Sequence, residues 1–179
     1  SRIEDKQLDY TGSELKGKTI GIIGFGAVGK KVAEFCRAFD MNVLVNSRHA
    51  AVQPDNSVKI ADFDNLVSVS DIVTVHASLN PQTKHMIDKI VFKKMKKTAL
   101  FINTARGGIV NENDLIAALK DKEISGACLD VFESEPLSIH NELRNLSNVI
   151  LTPHTAGMPD GVKFHKKRYE FFVNNIKHI

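Results

Sequence analysis

The stretch KTIGIIGFGAVGK, Lys18 to Lys30, decides the fold. Its first half is an apolar, β-branched run bounded by polar residues, as a strand buried on both faces tends to be. Its second half sets glycines at Gly24, Gly26 and Gly29 in the spacing G-x-G-x-x-G, and helical periodicity follows at once. Alone the spacing is weak; strand, turn and helix in this order give it meaning. Gly24 permits a tight turn, Gly26 lets the backbone approach a pyrophosphate, and Gly29 allows close packing of helix on strand. Unpaired amides at the helix start, with the positive end of its dipole, then favour phosphate. A glycine-rich turn with no ligand is the plainer alternative.

Outward from this stretch, short apolar runs alternate with longer segments of helical period. Strands are expected at 19–23, 42–45, 72–75, 99–103, 126–129 and 149–151, and helices at 28–39, 62–69, 89–95 and 111–120, the last with Asn111 as N-cap. That alternation predicts an α/β fold, a doubly wound parallel sheet of Rossmann type, in which ligands bind outside the carboxyl ends of the strands.

The second strand ends in VLVNSRH, Val43 to His49. An NAD-binding protein usually has an acid here to accept hydrogen bonds from the adenosine ribose. This chain has Asn46, Ser47 and Arg48; Ser47 can donate to a 2′-phosphate and Arg48 can pair with it. The missing acid favours NADP over NAD, although Arg48 could equally stack on adenine or face solvent.

Composition sets the outer limits. The chain has 179 residues, 42% hydrophobic and 25% charged, with a formal charge of +3, which suits one globular domain and gives no nucleic-acid footprint. No apolar run reaches the roughly eighteen residues that a membrane span needs. The opening SRIEDKQLDY holds no apolar run of the kind found in a secretory signal, and Cys36 and Cys128 read as reduced, buried packing residues, so a cytoplasmic location is expected. Lys84, Lys89, Lys93, Lys94, Lys96 and Lys97 read as a solvated face. No metal site is expected.

Three downstream segments, INTARGGIVNENDLIAAL (102–119), GACLDVFESEPL (126–137) and LTPHTAG (151–157), join ELKGKTIGIIGFGAVG in a pattern that closely resembles the D-isomer-specific 2-hydroxyacid dehydrogenase family. Its members include phosphoglycerate, glycerate/glyoxylate and D-lactate dehydrogenases. The resemblance implies a hydride transfer between NAD(P)(H) and a small 2-hydroxy or 2-keto acid. It places the family's catalytic Arg, Glu and His at Arg106, Glu135 and His154. An imidazole titrates near neutrality and suits the exchange of the hydroxyl proton. Glu135 would orient the ring and stabilise its cation, and Arg106 offers a planar fork for the substrate carboxylate. The resemblance further implies that Ala27 and Val28 offer amides to the pyrophosphate, and that Ala77 and Thr83 lie beside phosphates and ribose. Thr104 and Ala105 would flank the nicotinamide ribose, and Asp130 would bind the carboxamide unless it caps a loop.

The family commonly has H-x-P-L where this chain has His76-Ala77-Ser78-Leu79, so a looser loop is expected there, and Met158 and Pro159 follow the His where the family opens a helix. Full members carry a substrate domain before this region. The expected organisation is a connecting segment at 1–16, the dinucleotide-binding domain at 17–157, and at 158–179 a helix that returns to a substrate domain outside the chain. Such a chain is expected to bind dinucleotide, to turn over 2-keto acids weakly or not at all by itself and to pair as a homodimer through the cofactor domain. The competing reading is a dinucleotide-sensing, corepressor-like interaction protein of the same fold.

Overall fold

The computed structural model describes residues 12–48 and 58–157. Its strands are β1 (Thr19–Ile23), β2 (Asn42–Asn46), β3 (Lys59–Ile60), β4 (Ile72–Val75), β5 (Leu100–Asn103), β6 (Gly126–Leu129) and β7 (Val149–Leu151). The helices are α1 (Ala27–Ala38), α2 (Phe63–Val69), α3 (Lys89–Lys94) and α4 (Glu112–Lys120), with 3-10 turns at Gly107–Ile109 and Glu142–Asn145. All seven strands join one sheet in the order β3-β2-β1-β4-β5-β6-β7, every pair parallel. This is a Rossmann-type doubly wound fold, and its strand order reverses between β1 and β4. Loops leaving the carboxyl ends of those two strands bound the crevice where such sheets take ligands.

The pleat sorts the core into two layers. Ile20 and Ile22 of β1 join Val43 and Val45 of β2 beneath Ala33 of α1. Gly21 faces the other way, where a Cβ would lie 2.4 Å from the Leu66 side chain, so α2 packs directly on the β1 backbone. On that second face Val73, Phe101, Ala127 and Leu129 meet Leu66, Phe92, Leu115 and Leu119 from the three other helices. Phe92 stands edge-on to Phe101, centroids 5.5 Å apart. On the α1 face, in contrast, Ile150 is 64% and Leu100 40% exposed, and among the described residues no helix covers β5 to β7 there.

Six strands were expected and seven are present. The extra one, β3, has two exposed residues and pairs at the β2 edge through Leu44 and Val45, too short to print a period. Expected helix ends differ by one residue, and Asn111 caps α4 by accepting from Asp114 N at 3.2 Å. Cys36 and Cys128 are half-buried rather than buried. Two lysines of the expected solvated face are ion-paired, Lys94 with Asp64 and Lys96 with Asp71. Most of the connecting segment and all of the expected C-terminal helix, with Met158 and Pro159, lie outside the described residues.

Candidate active site

A cleft of about 420 Å³ opens at the carboxyl ends of β1, β2 and β4. Gly24, Gly26, Ser47, Arg48, Ala77 and Thr83 all line it. Gly24 has φ +95°, and a Cβ there would lie 2.6 Å from Ala77 N, so only glycine lets the loops after β1 and β4 touch. A Cβ on Gly29 would stand 2.3 Å from the Gly24 carbonyl oxygen, which fixes how closely α1 sits under the turn. At Gly26 a Cβ would meet nothing within 4 Å: that position faces open space.

The start of α1 differs from the others. Side chains of Asp62, Asp88 and Asn111 cap α2, α3 and α4, whereas α1 begins at Gly26 with no side-chain cap and no acid in its first turn. Its first amides are therefore available to an anion held in the cleft.

At the end of β2 the Asn46 carbonyl accepts from Gly24 N at 2.8 Å, and its amide donates to the Ala61 carbonyl at 3.0 Å. Among the described residues no carboxylate lines this cleft. The loop that lacks the family proline is tied by its own side chains: Thr83 Oγ1 donates to the Ser78 carbonyl at 2.7 Å and accepts from Asn80 N at 2.8 Å. His76, which sequence reading took only as part of a motif, borders the cleft and meets Thr74 Oγ1 through Nε2 at 3.0 Å. Burial holds its imidazole below the usual histidine range.

Val28, Ala77, Thr104, Ala105 and Arg106 line an adjoining space of about 570 Å³. The loop after β5 is shaped by Asn103, 1% exposed, whose side chain accepts from Ala105 N at 3.1 Å and donates to the Arg106 carbonyl at 3.0 Å. Arg106 is exposed, and its Nη1 donates to the Ala105 carbonyl at 2.6 Å. Behind it, a Cβ on Gly107 would fall 1.9 Å from the Phe132 carbonyl group, so the Arg106 loop presses against the segment that carries Glu135.

Glu135 and His154 meet directly, Oε2 to Nδ1 at 2.7 Å, beside a cavity of about 590 Å³. Glu135 Oε1 accepts from Phe132 N at 3.0 Å. The hydrogen bond with His154, then that from the Phe132 amide, hold the Glu135 carboxyl below its ordinary range against the opposing effect of burial. His154 adopts φ +54°, a left-handed conformation in which His is among the better-tolerated residues. Its backbone is set by Asp130, 3% exposed. Asp130 Oδ1 accepts from Thr152 Oγ1 at 2.5 Å and Thr155 N at 2.9 Å, and Oδ2 accepts from Ala156 N at 2.9 Å. Burial pushes this carboxyl up, but those bonds and the nearby His154 bring it below its usual value. Arg106, Glu135 and His154 thus follow the adjacent strands β5, β6 and β7. Glu135 and His154 are paired, and among the described residues no hydrogen bond or ion pair joins Arg106 to either.

These acids give stability a definite pH dependence. Asp71, which accepts from Lys96 Nζ at 2.9 Å and Thr19 N at 2.8 Å, is also held low, chiefly by Lys96. For a carboxyl whose folded pKa lies below its unfolded value of about 4, the stabilisation is complete above that value and lost as pH falls through the folded pKa. The thermal midpoint is expected to decline slightly as pH falls below about 6.5, where the unfolded chain protonates His76 more readily than the folded one does, and to fall more steeply below about pH 4. Asp130→Asn should cost about 1–3 kcal/mol at neutral pH and give a shallower acid limb. An unchanged acid limb in thermal melts of that variant would contradict this reading.

The fold and the cleft define a Rossmann-type nucleotide-binding domain. Residues 2–156 match the family model described as D-isomer specific 2-hydroxyacid dehydrogenase, NAD binding domain, and the chain belongs to that family. It is 49% identical over 149 residues to a Staphylococcus saprophyticus protein assigned by name to the 2-hydroxyacid dehydrogenases, covering 82% of this chain and 46% of that one. The chain therefore spans about half the length of the curated relatives it matches. It superposes with a TM-score of 0.76 on the NAD-complexed D-isomer specific 2-hydroxyacid dehydrogenase of Lactobacillus delbrueckii ssp. bulgaricus, at 34% identity, covering 84% of this chain and 50% of that one. With an acyclic imino acid reductase in complex with NADPH and D-arginine the TM-score is 0.84 at 32% identity, over 94% of this chain and 53% of the other. Among the described residues no helix is long and apolar enough to cross a membrane.

Proposed function

We propose that this chain is the cofactor-binding part of a D-2-hydroxyacid dehydrogenase, acting between NAD(P)(H) and C2 of a small 2-hydroxy or 2-keto acid. The observation that carries it is the Glu135–His154 contact at 2.7 Å on the edge of the sheet that also holds the glycine cradle. The cradle fits a dinucleotide: Gly26 leaves room for a diphosphate, and the uncapped amides of Ala27 and Val28 can bind it. When bound, the nicotinamide supplies or accepts the hydride. Thr104 and Ala105 flank its ribose in this reading. Asp130 keeps lone-pair capacity on Oδ2 for a carboxamide N–H while it holds the His154 loop.

The remaining steps belong to the chain's own side chains. An ionised carboxylate only accepts hydrogen bonds, so His154 donates from Nδ1 to Glu135 and presents Nε2 to the substrate oxygen. In oxidation Nε2 takes the hydroxyl proton; in reduction the imidazolium returns it, with Glu135 balancing the charge. Arg106 binds the substrate carboxylate through its fork. A panel of glyoxylate, pyruvate and hydroxypyruvate tests this by following NAD(P)H oxidation at 340 nm. Oxidation that depends on the keto acid and is lost in His154→Asn supports the reading; oxidation indifferent to His154 overturns it.

The cofactor preference proposed is NADP(H), because Ser47 and Arg48 line a cleft in which no carboxylate among the described residues stands to repel a 2′-phosphate. NADPH should bind a few-fold tighter than NADH, a difference of under about 1.4 kcal/mol, and Arg48→Glu should reverse the order. A tenfold preference for NADH in calorimetry would refute this. The assembly proposed is a homodimer through this domain, which sedimentation showing monomer alone at micromolar concentration would contradict. Two unpaired cysteines suit the reducing cytoplasm proposed for it.

A further inference from the structure

A second histidine–carboxylate pair shares the segment after β6 with the first. His85 Nε2 meets Glu133 Oε1, joining the loop before α3 to the segment after β6, 48 residues away. Each end of this pair is tied to something the reaction would use. Residues Asn80, Gln82, Thr83 and Met86 of the His85 loop line the glycine cleft, and His85 N donates to the Gly108 carbonyl at 2.9 Å, two residues beyond Arg106. Glu133 is the residue after Phe132, whose amide holds Glu135 Oε1. Its own amide donates to Glu112 Oε2 at 3.1 Å, and Glu112 Oε1 accepts from Asn141 Nδ2 at 2.6 Å.

The segment from Val131 to Glu135 is thus gripped on three sides. Gly107 lies flat against it, Glu112 anchors it to the first turn of α4, and His85 fastens it to the cleft loop. Without the His85 contact, the carboxylate of Glu133 has no other side-chain partner among the described residues, and the turn beyond the buried Val131 and Phe132 is left to the Glu112 bond and the Gly107 packing. A turn that drifts carries the Phe132 amide with it, and with that amide the orientation of Glu135 Oε2 toward His154.

We propose that His85 and Glu133 are positioning residues for Glu135: a brace that fixes the carboxylate on which the His154 ring is oriented, and that ties it to the wall of the cofactor cleft. The proposal rests on the reading of Glu135 and His154 as the acid–base pair. Neither His85 nor Glu133 touches the reacting atoms. Their effect passes through the Phe132 amide and the direction of one hydrogen bond.

The test reads that hydrogen bond without turnover. In the neutral ring the Nδ1–H tautomer of His154 is held by Glu135, and its share follows from imidazole 15N chemical shifts of the 179-residue chain. Spectra of every variant are taken at one alkaline pH, so that the tautomers of the neutral ring are compared under the same conditions. Glu135→Ala, which leaves no acceptor for Nδ1–H, supplies the reference for a lost partner. His85→Asn, whose side chain tolerates the left-handed φ of +51° but is too short to span the contact, is expected to lower the Nδ1–H share about twofold toward that reference. Glu133→Ala should do the same, and the double variant should go no further than either single one. A His154 tautomer ratio unchanged in both single variants, while Glu135→Ala shifts it, overturns the brace and leaves the acid–base pair standing. A ratio that Glu135→Ala itself fails to move overturns both. Additive losses in the double variant mean two independent effects, and they too overturn the brace.

Discussion

Gly107→Ala is expected to lose about 3 kcal/mol or more of stability, lowering the thermal midpoint by on the order of 10 °C. The added Cβ would sit 1.9 Å from the carbonyl carbon and oxygen of Phe132, with Glu133 N at 2.5 Å. These are backbone atoms, so no rotamer change relieves the overlap. Either the 3-10 turn at Gly107–Ile109 or the segment after β6 has to move, and each is fixed elsewhere. Ile109 is fully buried and accepts from Ile87 N at 3.2 Å, while Val131 and Phe132 are 2% and 8% exposed. The strain falls between Arg106 and Glu135, so what remains folded should also lose the Glu135–His154 bond. A differential scan that places the variant within about 2 °C of the parent, under roughly 1 kcal/mol for a chain of this size, would contradict this packing.

His154→Asn should leave the fold and the cofactor affinity intact and reduce hydride transfer by a factor of about 10²–10⁴, the usual contribution of a positioned acid or base. Asn is the replacement of choice because it tolerates the φ of +54° that His154 adopts. Glu135→Gln should fall in the same direction by a smaller factor, because the amide can still meet the ring but cannot balance its charge. The kinetic split matters here. Loss confined to the rate, with KM for the nicotinamide unchanged, fits a group that moves a proton; loss confined to KM fits one that only shapes the pocket. Turnover within tenfold of the parent would remove His154 from the chemistry.

Much of this was legible from the chain because its parallel strands are continuous apolar runs separated by helical periods, and all six expected strands are present within a residue at either end. The glycine spacing was legible as a tight turn under a helix: Gly24 has φ +95°, Gly29 packs on the Gly24 carbonyl and Gly26 faces open space. Legibility ended where a role is made by tertiary contact. β3 is two exposed residues whose strand character comes wholly from the β2 edge. Asn103 reads as one letter of a motif, yet its buried amide shapes the Arg106 loop. Asp130 left two readings open, and its carboxylate accepts three bonds from the loop of His154, a role spread over residues 22 to 26 positions away. His85 and Glu133 gave no signal, since nothing in either neighbourhood points to a partner 48 residues distant. The looser loop expected without proline after His76 is tied instead by Asn80 and Thr83, side chains that form their own local turn.

The central claim is that the turn after β1 cradles a diphosphate and so delivers a nicotinamide ring beside His154. A crystal structure of the chain soaked with NADPH tests it most directly. The account predicts the pyrophosphate on the amides at Gly26 to Val28, the adenosine phosphate beside Ser47 and Arg48, and the nicotinamide over the β5–β7 loops within a substrate's width of His154. A dinucleotide bound elsewhere, or a cleft that stays empty at millimolar NADPH and NADH alike, would contradict it.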